Sequence, residues 1–320
     1  MIDRGSHFRA YAALGAVCFF WGTTYLAIRM SLESFPPIAL VGIRYLISGS
    51  IMCGGVVLTG RRLPGRRELL FTALFGLIVI GLGNGALVYA EQWVPSGLAS
   101  IFITTGPFWN TGLEAALGGE RLRTPTLAGM LVGLGGTIIL VSRGALDFHM
   151  GTTALLGGFL LLQFGCAAWA TGAILQRRYD TKAHPVISGA VQQLATGIVF
   201  SAVALAIPEH PIHWSTRGVS AILYLVVFGS IVGYSAFIYS MDRLPVSVVS
   251  IYSYVNPVVA VALGWLFYRE PFGGREALGM AVIFLGVAIV KRYGGVTGRH
   301  GTRAVPPAAS RDGGRQRTAV

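Results

Sequence analysis

Charged residues are scarce in this chain. They account for 12% of its 320 residues, which is about half of the share that a soluble domain carries. Hydrophobic residues account for 53% and form long runs instead of short alternating ones. A run of about 20 apolar residues is long enough to cross the roughly 30 Å hydrocarbon core of a bilayer. The composition therefore excludes an ordinary soluble domain and predicts a polytopic membrane protein that is surrounded by lipid.

Lysine and cysteine are also rare. The positions of the basic residues and of the cysteines argue against nucleic-acid binding, disulfides and metal binding. Lysine occurs twice, so arginine supplies nearly all of the net charge of +12, and these basic residues lie in loops and tails between the apolar runs. Such a distribution indicates topology signals and contacts to anionic lipid, not a nucleic-acid surface. Cys18, Cys53 and Cys166 all lie inside apolar runs, which argues against disulfides and metal ligation. We therefore expect no nucleic-acid partner, no metal and no cofactor.

The sequence also lacks the motifs of common membrane enzymes. It contains no Walker motif, so direct use of ATP is not expected. No histidine lies inside an apolar run and Asp242 lies at the end of one, so the paired groups of an intramembrane hydrolase are missing. A receptor would tend to add a folded soluble domain, and the sequence encodes none. A membrane enzyme or a non-transporting receptor is therefore a distant alternative.

The apolar runs predict an all-α membrane protein with ten transmembrane helices. Their predicted bounds are 10–28, 37–59, 69–90, 97–118, 125–142, 152–175, 185–207, 217–240, 245–268 and 274–292. Residues 1–9 are predicted to be a cytoplasmic N-terminus. Residues 294–320 are rich in Gly, Pro and Arg and predict a disordered basic cytoplasmic tail.

The distribution of basic residues predicts how the chain is oriented. With the N-terminus inside, 19 basic residues fall on inside segments and five on outside segments. Cytoplasmic loops carry the excess of Lys and Arg in membrane proteins. The sequence therefore predicts a multi-pass protein of the cytoplasmic (inner) membrane with both termini in the cytoplasm.

The chain contains an internal repeat. Residues 83–139 and 233–289 share 14 identities in 57 ungapped positions, and the first span of each half matches at an offset of 148. The matched residues include Trp21 with Trp169, Pro107 with Pro257, and Glu120 with Glu270. Since five spans form one copy and five is odd, the second copy must enter the membrane in the opposite direction. The repeat predicts two inverted five-helix units, 10–142 and 152–292, an arrangement common in secondary transporters with a midplane substrate site.

Several segments resemble a known family. They are FWGTTYLAIRM, FPPIALVGIRYL, VPSGLASIFITTGPFW and GGERL in the first half, and AWATGAILQRR and YVNPVVAVALGWLFYRE in the second. Together they resemble the EamA family of the drug/metabolite transporter superfamily over about residues 10–293. The resemblance implies ten helices in two inverted repeats that move small metabolites across the cytoplasmic membrane, usually outward. It also points to Arg44 as a functional residue, but it names no substrate because the family's substrates are diverse.

Two charged residues inside predicted spans are candidates for function. Arg44 lies about seven residues past Pro37, and a buried arginine at that depth anchors an anionic or zwitterionic group or binds helix carbonyls or Glu91. Glu114 lies four residues after Asn110, where a carboxyl group either carries a coupling proton or pairs with Arg121 or Arg123. The repeat aligns Arg44 with Gln192 and Glu114 with Gly264, so both charges break the symmetry.

Aromatic, amide and proline residues near the predicted midplane suggest a substrate cavity. The prolines free the backbone carbonyls of Ile103 and Ser253 for a polar solute, and the aromatic residues suit a flat or amphipathic one. The alternative is that each serves only in packing between helices. The predicted substrate-binding residues besides Arg44 are Trp21, Thr24, Tyr25, Asn84, Pro107, Trp109, Asn110, Trp169, Tyr234, Tyr252, Asn256 and Pro257.

These observations predict a secondary active transporter of small organic metabolites that works as an exporter by alternating access. Protons or solute exchange would drive it. An importer, or a carrier of sugars or nucleotide sugars with the same fold, is the alternative. The segments GMLVGLGG and GMAVIFLG present small-residue faces that suit close packing within the chain or a homodimer.

Overall fold

The computed structural model describes residues 4–60, 64–94, 96–118, 123–146, 152–179, 184–207, 209–268 and 273–293. The predicted tail at 294–320 and the pair Glu120 and Glu270 lie outside these residues. The α-helices of the described part are α1 (Arg4–Leu32), α2 (Pro37–Leu58), α3 (Arg66–Gly76), α4 (Gly85–Ala90), α5 (Ser96–Ile103), α6 (Gly106–Ala116), α7 (Thr124–Leu146), α8 (Thr152–Arg178), α9 (Pro185–Ala206), α10 (Thr216–Tyr224), α11 (Gly233–Arg243), α12 (Val246–Val249), α13 (Tyr252–Tyr268) and α14 (Gly274–Tyr293).

Local sequence explains where several helices begin. Proline is the first residue of both α2 and α9, where the missing N–H would have no helical partner anyway. The hydroxyl of Ser215 caps α10 by accepting a hydrogen bond of 3.0 Å from the backbone N–H of Gly218. These starts place α2 and α9 at matching positions of the repeat.

The helices are long and apolar enough for a multi-pass membrane protein. Six stretches in the described part meet that description, and two further apolar helices, Thr124–Ile139 and Ala277–Val290, are shorter. The six are His7–Leu32, Pro37–Leu58, Arg66–Ala90, Leu156–Arg178, Val186–Ala206 and Thr216–Arg243. The prediction of an all-α membrane protein is thus confirmed.

The predicted fourth and ninth spans are not single helices, which corrects the sequence-based bounds 97–118 and 245–268. A turn at Thr104 and Thr105 separates α5 from α6, and a turn at residues 250–251 separates α12 from α13. Pro107 lacks the N–H that would continue the helix past the first turn, and Thr105 Oγ1 lies 2.7 Å from the carbonyl oxygen of Phe102. Pro257 lies within α13, past the second break.

Two π-helical segments occupy matching places in the two halves. Leu77–Asn84 joins α3 to α4, and Leu225–Val232 joins α10 to α11. Such wide turns are rare and often occur at functional sites. The sequence analysis did not predict them, because the same apolar residues suit an ordinary α-helix.

Close glycine contacts between the two halves follow the internal repeat. Gly49 packs against the backbone of Leu194, and its repeat partner Gly197 packs against Leu46, the partner of Leu194. In the same way Gly136 of α7 meets Ile283 of α14, and Gly286 of α14 meets Gly133 of α7. The small-residue faces therefore pack against each other within the chain, and the predicted homodimer has no support from them.

The contact between α7 and α14 gives a testable prediction. A Cβ at Gly136 would lie 2.6 Å from the backbone nitrogen of Ile283, whereas a Cβ at Gly135 meets nothing within 4 Å. We expect Gly136→Ala to lower the melting temperature of the purified protein, because overpacking typically costs about 1–3 kcal/mol. Gly135→Ala is the control and should leave the melting temperature unchanged or raise it, since alanine favours helix. Equal melting temperatures for the two variants would contradict this packing.

Candidate substrate cavity

Helices from both halves enclose a cavity with about 880 Å³ of empty space, a volume that includes its opening to solvent. Its wall is made by α1, α2, α4, α5, α6, α8, α11, α13 and the two π-helical segments. Ten of the residues predicted from the sequence line it, namely Trp21, Thr24, Tyr25, Arg44, Asn84, Asn110, Trp169, Tyr234, Tyr252 and Asn256. A set chosen from scattered positions of the sequence is therefore brought together in one place.

Arg44 is the charged group of this wall. Its side chain is 3% exposed, and its Nε donates to Ser230 Oγ at 2.8 Å. Its Nη1 lies 3.5 Å from Asn84 Oδ1, and its guanidinium carbon lies 4.8 Å from the centre of the Tyr45 ring. The alternative partner considered from the sequence, Glu91, is not among its contacts. None of the described residues that line the cavity is a carboxylate, so polar and aromatic groups alone surround the positive charge.

A neutral counterpart of this contact lies on the other half of the chain. Gln192, the repeat partner of Arg44, accepts a hydrogen bond from the hydroxyl of Tyr234, the repeat partner of Asn84. Gln192 Nε2 in turn donates to Gln176 Oε1 at 3.0 Å. The two halves thus make equivalent contacts, and only the Arg44 side brings a charge.

Another part of the wall belongs to a cluster of aromatic rings around Trp21, in which Phe237 packs behind the lining residues. The ring centre of Trp21 lies 5.4 Å from that of Trp169, 5.1 Å from Phe237 and 5.0 Å from Tyr252. Its Nε1 donates to the carbonyl of Gly229 at 3.0 Å, within the second π-helical segment. Because the indole nitrogen already has its partner, Trp21 presents a fixed apolar face.

Two helices start at the cavity. Gly106, the first residue of α6, lines it together with Ile103, the last residue of α5. Tyr252 and Ser253, the first residues of α13, line it as well. The N-terminus of a helix carries a partial positive charge and the C-terminus a partial negative one. The start of α13 therefore adds to the positive potential that Arg44 produces, while the end of α5 opposes the contribution of α6.

Four predicted site residues lie outside the wall. Pro107 is buried at the start of α6, and Pro257 lies in α13. Trp109 donates through Nε1 to Gln163 Oε1 at 2.9 Å. Glu114 lies 3.9 Å from Arg177 and 3.8 Å from Arg178. Substrate contact by the first three and proton coupling by Glu114 stay predictions.

Some lining residues escaped the sequence analysis. Tyr45 directly follows Arg44, and its hydroxyl donates to Asn84 Oδ1 at 2.9 Å. Ser230 binds the guanidinium, and its repeat partner is Ile80, which is the same kind of asymmetry that singled out Arg44. A systematic search for polar residues with apolar repeat partners would have found Ser230.

Gln163 of α8 holds the break between α5 and α6 in place. Its Oε1 accepts from Thr105 Oγ1 at 2.8 Å and from Trp109 Nε1 at 2.9 Å. Its Nε2 donates to the carbonyl of Phe102 at 3.1 Å. One amide thus supplies partners on both sides of the interruption.

The Gln163 contacts predict a loss of stability on substitution. Gln163→Leu removes all three hydrogen bonds, and we expect it to lower the free energy of unfolding by at least about 1 kcal/mol. Thermal unfolding in detergent measures this. Gln92→Leu is the control, because Gln92 is exposed and donates only to the nearby carbonyl of Tyr89. If both variants unfold at the same temperature, Gln163 does not hold the break.

A multi-pass helical protein with a polar and aromatic central cavity belongs to the class of membrane transporters, and comparison with known proteins identifies the family. The model of the EamA-like transporter family matches residues 9–142 and 156–292. The chain therefore belongs to the EamA-like transporter family. It is a multi-pass membrane protein of a transporter family.

Individual relatives agree with this assignment. The uncharacterized inner membrane transporter YedA of Escherichia coli K12 is 35% identical over 282 residues, which is 88% of this chain and 90% of YedA. A probable amino-acid metabolite efflux pump of Salmonella typhimurium is 24% identical over 281 residues, covering 84% of this chain and 90% of the pump. A solved crystal structure has the same fold, with a TM-score of 0.73 at 20% identity over 90% of this chain and 98% of the other.

Proposed function

We propose that this protein is a secondary active exporter of small organic metabolites that works by alternating access. The observation that carries the proposal is the central cavity, because helices of both halves line it and two of them are interrupted there. Interrupted helices at a repeat interface are typical of substrate sites in secondary transporters. In this account a solute binds in the cavity and the two halves rock around it. No chemical change of the solute is proposed.

The proposed architecture is ten transmembrane helices in two inverted repeats, 10–142 and 152–292. The reciprocal glycine contacts support it, since two halves related by a two-fold axis must exchange equivalent residues. The matching π-helical segments and the two broken helices support it as well. The excess of basic residues on the proposed inside segments supports cytoplasmic N- and C-termini.

Export is the proposed direction, and protons or solute exchange are the proposed driving force. The Salmonella relative is named as an efflux pump, which supports outward movement. An importer, or a carrier of sugars or nucleotide sugars, would use the same cavity in a similar cycle. The direction of the measured flux and the identity of the solute that moves separate these alternatives.

The proposed substrates carry a negative charge and a flat or amphipathic body. Arg44 and the start of α13 attract an anionic or zwitterionic group, and the described wall contains no carboxylate that would repel it. The rings around Trp21 suit an aromatic or other flat part of the same solute. Asn84 Oδ1 accepts from the Tyr45 hydroxyl and lies 3.5 Å from Arg44 Nη1, so these three side chains form one polar group beside the proposed solute.

A metabolite comparison tests the proposed function. Spent medium from cells that overexpress the protein and from cells that lack its gene should differ in one or more small anionic or zwitterionic solutes. Membrane vesicles loaded on one side with the solute that differs should then release or accumulate it against its gradient. If no solute differs in the medium and vesicles show no concentrative flux, the transporter proposal is wrong in this form.

Arg44 gives the sharpest mutational prediction for the site. Arg44→Gln installs the side chain of its repeat partner and removes the positive charge. We expect export to fall at least about tenfold, because a hydrogen bond to a charged group contributes about 1.5–3 kcal/mol. Membrane levels should remain, and the melting temperature should not fall, since a buried charge without a carboxylate partner does not favour folding.

The matched control for this variant is Arg67→Gln. Arg67 is exposed at the start of α3 and should tolerate the change without loss of export. Export is followed as solute in the medium for equal amounts of protein in the membrane. Full export by Arg44→Gln would show that Arg44 is structural and would remove the anionic anchor from the proposal.

A further inference from the structure

A buried carboxyl group without a partner lies just beyond the end of α4. Glu91 is 1% exposed, and its backbone N–H donates to the carbonyl of Leu87 at 3.0 Å. Within the described part of the chain, neither of its two carboxyl oxygens has a hydrogen-bond partner. Its position at the outer edge of the third predicted span indicates an interfacial residue, and the alternative from the sequence was a partner of Arg44. The burial of Glu91 corrects the first interpretation, and neither interpretation predicts its isolation.

Glu91 lies next to the substrate cavity. Leu87, one helical turn earlier on the same face, lines the cavity. Tyr25 of α1 also lines the cavity and lies close enough to Glu91 for the two side chains to interact electrostatically. Arg29, one turn beyond Tyr25 on α1, acts electrostatically on the Glu91 carboxyl from an exposed position. The carboxyl group therefore lies between the cavity and an exposed cation at one end of the helical bundle.

The surroundings of Glu91 favour its neutral, protonated form in this conformation. An ionised carboxylate that is buried without a hydrogen bond or a close cation is costly, and such groups take up a proton instead. A movement that brings Glu91 to Arg29 or to water would favour the ionised form. A rearrangement that shifts α1 relative to the end of α4 is a movement of this kind, since Arg29 lies on α1 and Glu91 follows α4.

Other titratable groups near α4 do not offset this effect. The elements packed against α4 are α2, α8 and the first π-helical segment. Within the described residues, the π-helical segment has no titratable side chain, and Arg29 is the charged group that acts on the carboxyl. The titratable side chains of the other two helices are Arg44, Tyr45 and Cys53 on α2 and Cys166, Arg177 and Arg178 on α8.

We propose that Glu91 is a proton-binding site that takes up and releases one proton as the cavity changes access, so that solute movement is coupled to proton movement. This rests on the proposed transport function. It differs from the predicted role of Glu114, whose carboxylate lies within 4 Å of Arg177 and Arg178.

The first test needs no solute. In the unfolded chain a glutamate loses its proton near pH 4.3, while the proposal keeps the Glu91 proton in the folded protein to higher pH. Above that pH, each unit of pH lowers the free energy of unfolding of the wild type, because the unfolded chain has released a proton that the folded protein still holds. Glu91→Gln is always neutral and shows no such loss. We expect the melting temperature of Glu91→Gln, measured relative to wild type, to rise steadily between about pH 5 and pH 8.

Glu33→Gln is the control for this measurement. Glu33 is 51% exposed at its side chain and lies 3.6 Å from Arg217, so folding removes little water from its carboxyl group and its variant should differ from wild type by a constant amount. A constant difference for Glu91→Gln as well would overturn the proposal. Should the variant fail to fold, labelling of the wild type by dicyclohexylcarbodiimide, which adds to protonated carboxyl groups, gives the same information. Modification of Glu91 that falls with rising pH supports the proposal, and no modification at any pH contradicts it.

The second test connects the proton to transport. Proteoliposomes loaded with the pH dye pyranine receive the small-molecule fraction of a cell extract, and mass spectrometry measures the solutes that enter. Wild-type protein should move solute and change the internal pH, while Glu91→Gln should lose the pH change. Solute entry with an unchanged pH in the wild type would overturn proton coupling but leave transport intact. Retention of the pH change in Glu91→Gln and its loss in Glu114→Gln would assign the proton to Glu114 instead.

Discussion

The burial of one guanidinium group between two helical halves constrains the rest of this structure. Arg44 is held by Ser230, Asn84 and the ring of Tyr45, all of which are neutral. Burying a charge without an opposite charge opposes folding, so the surrounding helices must be stabilised by other contacts. The glycine faces of α2 with α9 and of α7 with α14 supply them, because they allow backbones to approach closely. A frame of close-packed helices thus supports a cavity in which the described lining offers Arg44 no negatively charged partner.

Residues that the internal repeat matches and residues that it does not match have different roles in the cavity. Symmetric features build the cavity: the glycine contacts, the two π-helical segments, and the pairing of Trp21 with Trp169. The unmatched residues give the cavity its charge and part of its polarity. Arg44 stands against Gln192, and Ser230 stands against Ile80, so one side of the cavity attracts an anion and the other does not. A symmetric frame that rocks around an asymmetric site is a simple physical basis for alternating access with selectivity.

Much of the fold was predictable from the sequence, because apolar runs and their punctuation by proline and glycine act locally. The all-helical membrane class followed from the runs, and ten of the cavity residues followed from the repeat and from polar side chains at midspan depth. The breaks before Pro107 and Pro257 were only half predicted. A proline predicts a lost hydrogen bond, but the place where the helix breaks depends on Thr105 and Gln163. The burial of Glu91 was not predictable, because it depends on the packing of α4 against helices far away in the sequence.

The central claim is that the Arg44 charge selects an anionic solute, and a binding measurement tests it most directly. The purified protein is heated with a panel of flat aromatic carboxylates, such as phenylacetate, cinnamate and indole-3-acetate, and with the uncharged amide of each. A ligand that binds the folded state raises the melting temperature by mass action. The account predicts that acids raise it, that their amides do not, and that Arg44→Gln abolishes the effect of the acids. Equal stabilisation by the amides, or undiminished stabilisation of Arg44→Gln by the acids, would contradict it.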